Sequence, residues 1–293
     1  MNETNKARVS LISAMLIFGT IGIFRRYILL SSGMIALVRG FVGTLFLLCV
    51  LAVKRQKLNG AAIKRNAGLL LLSGMLIGLN WALLFEAYNY TTVATATLCY
   101  YMSPVFVVLL SPLLLKERMT GKKLLCVVTS LFGMLLVSGI LADAGEARDF
   151  RGVLFGLGAA LLYASVVLLN KKITAIPAYD KTVVQLAAAA AVMIPYLCLT
   201  EDFASIAWEQ PLPVILLLVV GILHTGIAYA LYFGSFERLS AQTVAIFGYI
   251  DPVVAVLLSA LFLREPMSLP TVLGAILILA SAVVSEYTPT KKG

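Results

Sequence analysis

Apolar residues fill this 293-residue chain in long blocks, separated by short clusters of charge. Each block is roughly 20 residues, the length at which a helix crosses the hydrocarbon of a bilayer. The pattern predicts spans over 8–27, 32–53, 67–89, 92–115, 121–141, 152–171, 181–200, 212–233, 240–263 and 269–286. Two of the blocks nearly repeat each other. Residues 101–120 read YMSPVFVVLLSPLLLKERMT and residues 249–268 read YIDPVVAVLLSALFLREPMS. Tyr101 matches Tyr249, Pro104 matches Pro252, Ser111 matches Ser259, Glu117 matches Glu265 and Met119 matches Met267, each pair 148 residues apart. A proline-interrupted span at corresponding positions of two halves points to a secondary transporter's substrate site.

Composition strengthens the membrane reading. Hydrophobic residues make up 61% of the chain and charged residues 13%, against about 45–50% and about 25% in soluble domains. The net charge of +9 does not describe a nucleic-acid binder, because the basic residues sit in alternate connectors. The N-terminus carries Lys6 and Arg8; 54–65 carries Lys54, Arg55, Lys57, Lys64 and Arg65; 116–123 carries Lys116, Arg118, Lys122 and Lys123. Lys171, Lys172, Lys181, Arg238, Lys291 and Lys292 continue the series. The opposite connectors hold Asp143, Glu146, Asp149, Glu201, Asp202 and Glu209. By the positive-inside rule both termini are expected in the cytoplasm. Lys6 and Arg8 precede an apolar run, but no small-residue cleavage site and soluble domain follow, so a retained first span is expected. Cys49, Cys99, Cys126 and Cys198 fall in apolar spans without metal-ligand spacing and are read as buried small hydrophobes.

The repeat extends further. Residues 69–88 lie over 217–236, pairing Gly78 with Gly226, Trp81 with Tyr229 and Phe85 with Phe233. A slightly smaller offset aligns Phe18-Gly19 with Tyr163-Ala164 and Ile28 with Ile173. Five spans per half is an odd number, so the second half enters from the other side of the membrane. The expected fold is an all-α polytopic membrane protein of about ten helices, built from two inverted five-helix repeats over 1–145 and 146–293.

With these residues in place, the chain resembles the drug/metabolite transporter superfamily, specifically its EamA family. The likeness rests on Phe18-Gly19, on Leu37-Val38-Arg39-Gly40, and on the tract from Tyr101-x-x-Pro104 to Lys116-Glu117 with its counterpart from Tyr249-x-x-Pro252 to Arg264-Glu265. It covers essentially the whole chain. It implies export or exchange of amino acids, amines, sugars or other small metabolites. Two departures stand out: Phe18 replaces a tryptophan common in the family, and Gln185 aligns with Arg39, so the halves are chemically unequal.

Ionisable groups inside a bilayer are costly and are functional candidates by default. Asp251 precedes Pro252 near the middle of span nine, and its counterpart is the neutral Ser103. It is read as a substrate-ammonium ligand or proton carrier, against a structural alternative in which it caps the helix break. Glu86, towards the outer end of span three, is expected to pair with Arg39, Arg25 or Arg26 as an outer gate. A guanidinium left over from such pairing could hold a substrate carboxylate, and Arg25 and Arg26 could instead snorkel to the interface.

Aromatic stripes, Trp81, Phe85 and Tyr88 on span three and Tyr229, Tyr232 and Phe236 on span eight, suit either packing or the enclosure of an amine or apolar side chain. Gly248, Asp251, Ala255 and Ser259 form a small-residue face on span nine. His224 is read as a packed, hydrogen-bonded histidine, and Lys171 and Asn170 as loop anchors. Asn80 is either hydrogen-bonding glue between helices or part of the substrate set. The expected substrate-binding residues are therefore Asn80, Trp81, Tyr100, Ser103, Tyr229, Tyr232, Gly248 and Asp251, with Glu86, Arg39 and Asp251 in coupling or gating.

No HExxH, Walker loop or G-x-S-x-G appears, so no enzyme activity, metal or cofactor is expected. The sequence predicts a plasma-membrane secondary transporter of small metabolites such as amino acids. Alternatives are a proton-coupled organic-cation or drug exporter and a non-transporting membrane scaffold. Expected partners are the metabolite, the bilayer, a proton in the coupled reading and a second copy in a homodimer, with no nucleic acid.

Overall fold

The computed structural model describes residues 2–21, 24, 27–28, 30–90, 96, 99–137, 150–201, 211–263 and 268–286. Among these residues every regular element is a helix: α1 Glu3–Gly19, α2 Ser32–Val53, α3 Gly60–Tyr90, α4 Ser103–Leu115, α5 Gly121–Val137, α6 Phe150–Lys172 and α7 Ala178–Thr200. They continue as α8 Pro211–Val219, a π-helical segment Val220–Ile227, α9 Ala228–Ser235, α10 Ala241–Phe247, α11 Ile250–Leu263 and α12 Leu269–Glu286. All-helical construction is what lipid demands, because a helix satisfies its backbone polar groups within itself. Five helical stretches are long and apolar enough to cross a bilayer: Gly33–Val53, Gly60–Leu84, Phe150–Lys172, Ala178–Thr200 and Val214–Ser235. Shorter apolar helices account for the rest, giving a polytopic membrane protein. Arg25, Arg26, Asp143, Glu146, Asp149, Asp202, Glu209, Arg264, Glu265, Lys291 and Lys292 lie outside the described residues, as do the side chains of Phe85, Tyr88, Ala255 and Ser259.

The distribution of polarity is that of a protein in lipid. Val53, Leu113 and Leu199 stand on the outside, while Ser73, Ser111, Asn170, Gln185, His224, Thr225 and Gln242 are buried. Helices with no hydrophobic drive to associate are joined by such small and polar groups. Between α3, α6 and α7, Asn170 Nδ2 and Gln185 Nε2 both donate to Ser73 Oγ, at 3.0 and 2.6 Å. Asn170 thus belongs to this interior network rather than to a loop. Cys126 is buried as expected, but Cys49 and Cys198 are exposed on the outer apolar surface, where a thiol sits as readily as any small apolar group.

Two expected spans are interrupted. Helix α4 begins at Ser103 directly after a turn at Tyr101–Met102, and α11 begins at Ile250 after a turn at Gly248–Tyr249. Pro104 and Pro252 therefore stand in the first turn of a new helix. There the missing N–H would have had no partner in any case, so the prolines start helices rather than bend them.

Packing partners exchange when the halves are exchanged. Helix α3 lies along α6 as α9 lies along α1; α4 packs on α6 as α11 packs on α1; and α3 meets α7 as the π-helical segment meets α2. The remaining major contacts, α2 with α7 and α5 with α12, map onto themselves. Repeat-paired glycines allow close approaches between helices. A Cβ at Gly78 would lie 2.3 Å from Val192 Cγ1 and 2.7 Å from the Ala189 carbonyl oxygen, and one at Gly226 would lie 2.7 Å from Phe46 Cδ1.

Candidate functional site

The two interrupted spans meet at the centre of the bundle. Tyr249 Oη donates to the Tyr101 carbonyl oxygen at 2.9 Å, and the Tyr101 hydroxyl hydrogen-bonds the Asp251 side chain. The matched tyrosines thus fasten one helix break to the other and lead directly to the carboxylate. Asp251 stands in the first turn of α11, where the half-helix dipole favours a negative group.

Beside this junction is a small cavity of about 50 Å³. Tyr100, Tyr101, Ser103, Pro104, Gly248 and Asp251 line it from the breaks, Met15 and Phe18 from α1, Tyr163 and Val167 from α6, Tyr232 from α9, and Val244 and Ala245 from α10. Three repeat pairs contribute both members: Phe18 with Tyr163, Tyr100 with Gly248, and Ser103 with Asp251. Each pair differs in size or charge, so related backbones present unlike chemistry to one space. A larger groove of about 550 Å³ runs between α1, α2 and α9, rimmed by Glu3, Lys6, Glu237 and Arg238. It shares no lining residue with the central cavity and includes none of the sequence-predicted site residues.

Of the eight expected substrate-binding residues, Tyr100, Ser103, Tyr232, Gly248 and Asp251 line the cavity. Trp81 and Tyr229 stand behind it in a continuous aromatic cluster. Phe18 packs edge-on against Tyr229 with ring centroids 5.1 Å apart, and Tyr229 lies 6.2 Å from Trp81. Asn80 does not reach the cavity; its Nδ2 donates to the Ala159 carbonyl oxygen at 2.6 Å, joining α3 to α6.

The expected ion pair between Arg39 and Glu86 is not formed. Arg39 Nε donates to Thr225 Oγ1 at 3.0 Å and its guanidinium lies over Trp81, 4.7 Å from the ring centroid. Glu86 instead accepts from Asn89 Nδ2 at 3.2 Å, within the last turn of α3. Arg39 points into the bundle, whereas Glu86 is held locally near a helix end.

The site also contains Tyr163, which the sequence reading did not propose. Its hydroxyl donates to Tyr232 Oη at 2.8 Å, and the two rings stack with centroids 6.4 Å apart. The alignment of Phe18-Gly19 with Tyr163-Ala164 carried the signal, because it puts Tyr163 where a motif residue stands in the first half. The π-helical segment has no sequence signature, yet it positions two relevant groups. Thr225 Oγ1, the partner of Arg39, donates to the Val220 carbonyl oxygen five residues back at 3.1 Å. His224 Nε2 lies 2.7 Å from Thr20 Oγ1, and that hydroxyl donates to Ile17. The proton of the first contact therefore comes from the histidine, consistent with a packed, hydrogen-bonded role.

One end of the bundle is held by charges that charge counting alone places in connectors. Lys181, fully buried, donates to the Phe233 carbonyl oxygen at 2.9 Å, and Lys171 donates to those of Phe236 and Leu239 at 2.6 and 2.8 Å. These ammonium groups satisfy carbonyls at the α9 C-terminus, where positive charge is favoured. Glu117 accepts from the Ala241 N–H at 2.9 Å at the start of α10, and Lys123 Nζ donates to Ser240 Oγ at 3.3 Å. The connector 236–240 is therefore fixed from both halves of the chain.

Comparison with known proteins agrees with this architecture. The chain is 30% identical to an uncharacterized transporter, YxxF, of Bacillus subtilis (strain 168), over 97% of this chain and 90% of that one. Protein RarD of Salmonella typhi is 29% identical, with 84% of each covered. A solved crystal structure with 18% identity superposes over 96% of each chain with a TM-score of 0.84, a likeness of fold alone. The model of the EamA-like transporter family matches twice, over residues 6–139 and 150–287. The protein belongs to the EamA-like transporter family.

Proposed function

We propose that the chain is a secondary transporter of the plasma membrane that moves small polar metabolites, amino acids first among them, by alternating access. In this reading residues 1–145 and 146–293 are inverted five-helix repeats, ten spans are present and both termini are cytoplasmic. The exchange of packing partners between halves and the twofold match to the family support the repeat. The observation that carries the function is the central cavity, where two repeat-paired helix breaks meet beside Asp251. Helices interrupted near the middle of a bundle are where transporters of this construction hold their substrates. At about 50 Å³ the cavity has room for a few waters and is far below the roughly 300 Å³ at which ligand pockets begin. A metabolite does not fit a space of that size, so in this reading loading requires the halves to part.

Counterflow of radiolabelled amino acids, amines and sugars in proteoliposomes tests the proposal. Accumulation of an amino acid against an unlabelled internal pool is the expected result. Absence of flux for every compound, with monodisperse protein, would favour a scaffold. A second reading, a proton-coupled exporter of organic cations, draws on Asp251 being the acidic residue among the lining groups, enclosed by tyrosines. It predicts amine flux driven by a pH gradient and no flux of amino acids.

A further inference from the structure

Helices α1 and α2 both pack on the π-helical segment, and α1 continues onto α9. These two elements floor a cleft between α1 and α2, the groove of about 550 Å³ described above. Its volume falls within the roughly 300–1,000 Å³ of ligand sites, and the transport proposal makes no use of it. The walls are graded from charged to apolar. On α1 the lining passes from Glu3 and Lys6 to Ala7, and on the opposite wall from Arg238, in the connector after α9, back to Leu231. The α2 wall, from Val50 to Phe46, is apolar. Val9 and Leu45, each next in sequence to a lining residue, are exposed. The groove therefore borders the apolar outer surface that meets lipid.

The mouth carries both signs of charge. Lys6 is paired with Glu3 at 2.7 Å. Lys54 Nζ lies 5.0 Å from the ring centroid of Tyr179, a lining residue. Glu237 and Arg238 are exposed, and among the described residues their side chains form no ion pair. Lys181, whose charge reaches Glu237, is engaged with the Phe233 carbonyl. An apolar trench with charges at its mouth fits an amphiphile. A sugar or a free amino acid would lay polar groups against hydrocarbon without partners. Basic groups between membrane helices suit a lipid phosphate. Carboxylates in the same rim repel a headgroup that is only anionic and suit one that also donates N–H bonds. An ethanolamine ammonium, like that of lysine, has three such donors. A choline has none, and a glycerol headgroup lacks the positive charge.

We propose that the groove between α1, α2 and α9 is a phospholipid site that seats one acyl chain along its apolar wall and selects phosphatidylethanolamine. The phosphodiester meets Arg238 and Lys54, and the ammonium meets Glu237. The site stands or falls independently of what the central cavity carries.

Native mass spectrometry of the full chain, released from detergent with phosphatidylethanolamine, phosphatidylglycerol or phosphatidylcholine of identical acyl chains, tests this. One phosphatidylethanolamine should stay bound after the other lipid is stripped, with affinity roughly 10-fold above either competitor. Arg238→Gln and Glu237→Gln, both at exposed positions, should each bring it down to the level of phosphatidylcholine. Lys57→Gln, which removes a nearby charge outside the groove lining, should change nothing. Ala230→Trp, which fills the groove, should release lipid of every headgroup while the thermal transition in detergent is kept. Equal retention of the three lipids by wild-type protein, the mark of a nonspecific lipid coat, would overturn the proposal. So would an undiminished preference in Arg238→Gln and Glu237→Gln, or a loss in Lys57→Gln as large as in Arg238→Gln.

Discussion

Asp251 and Ser103 occupy equivalent backbone positions, each beside its proline in the first turn of a half-helix, and both line the same cavity. The local scaffold is shared, so the difference between them is one carboxylate. If that group carries a proton through the cycle, Asp251→Asn should abolish uptake driven by an imposed pH gradient while sparing counterflow. Loss of counterflow as well would assign the carboxylate to the substrate. Unchanged transport with an unchanged pH profile would exclude both roles. At this scale much of the site was legible, because the repeat singled out the proline-marked spans and so Asp251, Ser103, Tyr100 and Gly248. The Arg39–Glu86 pairing failed because span position gives the depth of a side chain but not the face it turns to. Arg39 found a hydroxyl and an indole across the interior, while Glu86 found an amide three residues along its own helix.

Among elements, the contact of α3 with α7 is the tightest test of packing. Gly78 sits against Ala189 and Val192 with no room for a Cβ. Gly78→Leu must push α3 and α7 apart, and overpacking of this kind costs about 1–3 kcal/mol. Thermal unfolding in detergent should show a lowered transition, whereas Gly60→Leu, with open space around its Cβ direction, should leave it nearly unchanged. An unaltered transition for Gly78→Leu would refute the close contact. Helix positions were readable from hydropathy, and the limits of α2 and α12 coincide with expected spans 32–53 and 269–286. The π-helical segment was not readable, because its register depends on how Thr225 and His224 meet neighbouring helices. Nor did hydropathy show that Glu117 of the repeated motif would cap α10, a contact across 124 residues of chain.

For the whole molecule, charge placement predicts both termini on the cytoplasmic side, and the connector 236–240 is then the cytoplasmic closure. Cysteine-reactive reagents that do not cross membranes should label a terminal cysteine only after the cells are opened. Labelling of intact cells would reverse the orientation and with it the side that Lys171, Lys181 and Glu117 hold shut. The two-copy organisation proposed above rests on sequence, where paired motif residues recur at one offset. Which helices touch was not visible, since contacts such as α3 with α6 arise only when the two copies interlock.

Two identical halves related by an in-plane axis would give inward-open and outward-open forms of equal energy, since exchanging the halves would turn one into the other. The cavity breaks that degeneracy at three points, where Phe18, Tyr100 and Ser103 of one half correspond to Tyr163, Gly248 and Asp251 of the other. In the alternating-access reading proposed above, each inequality weighs on one form more than its opposite, and the empty carrier is then expected to rest unequally between the two sides of the membrane. On that reading its resting population, and hence the side from which it is more readily loaded, would be set by the few positions at which the two halves stopped matching.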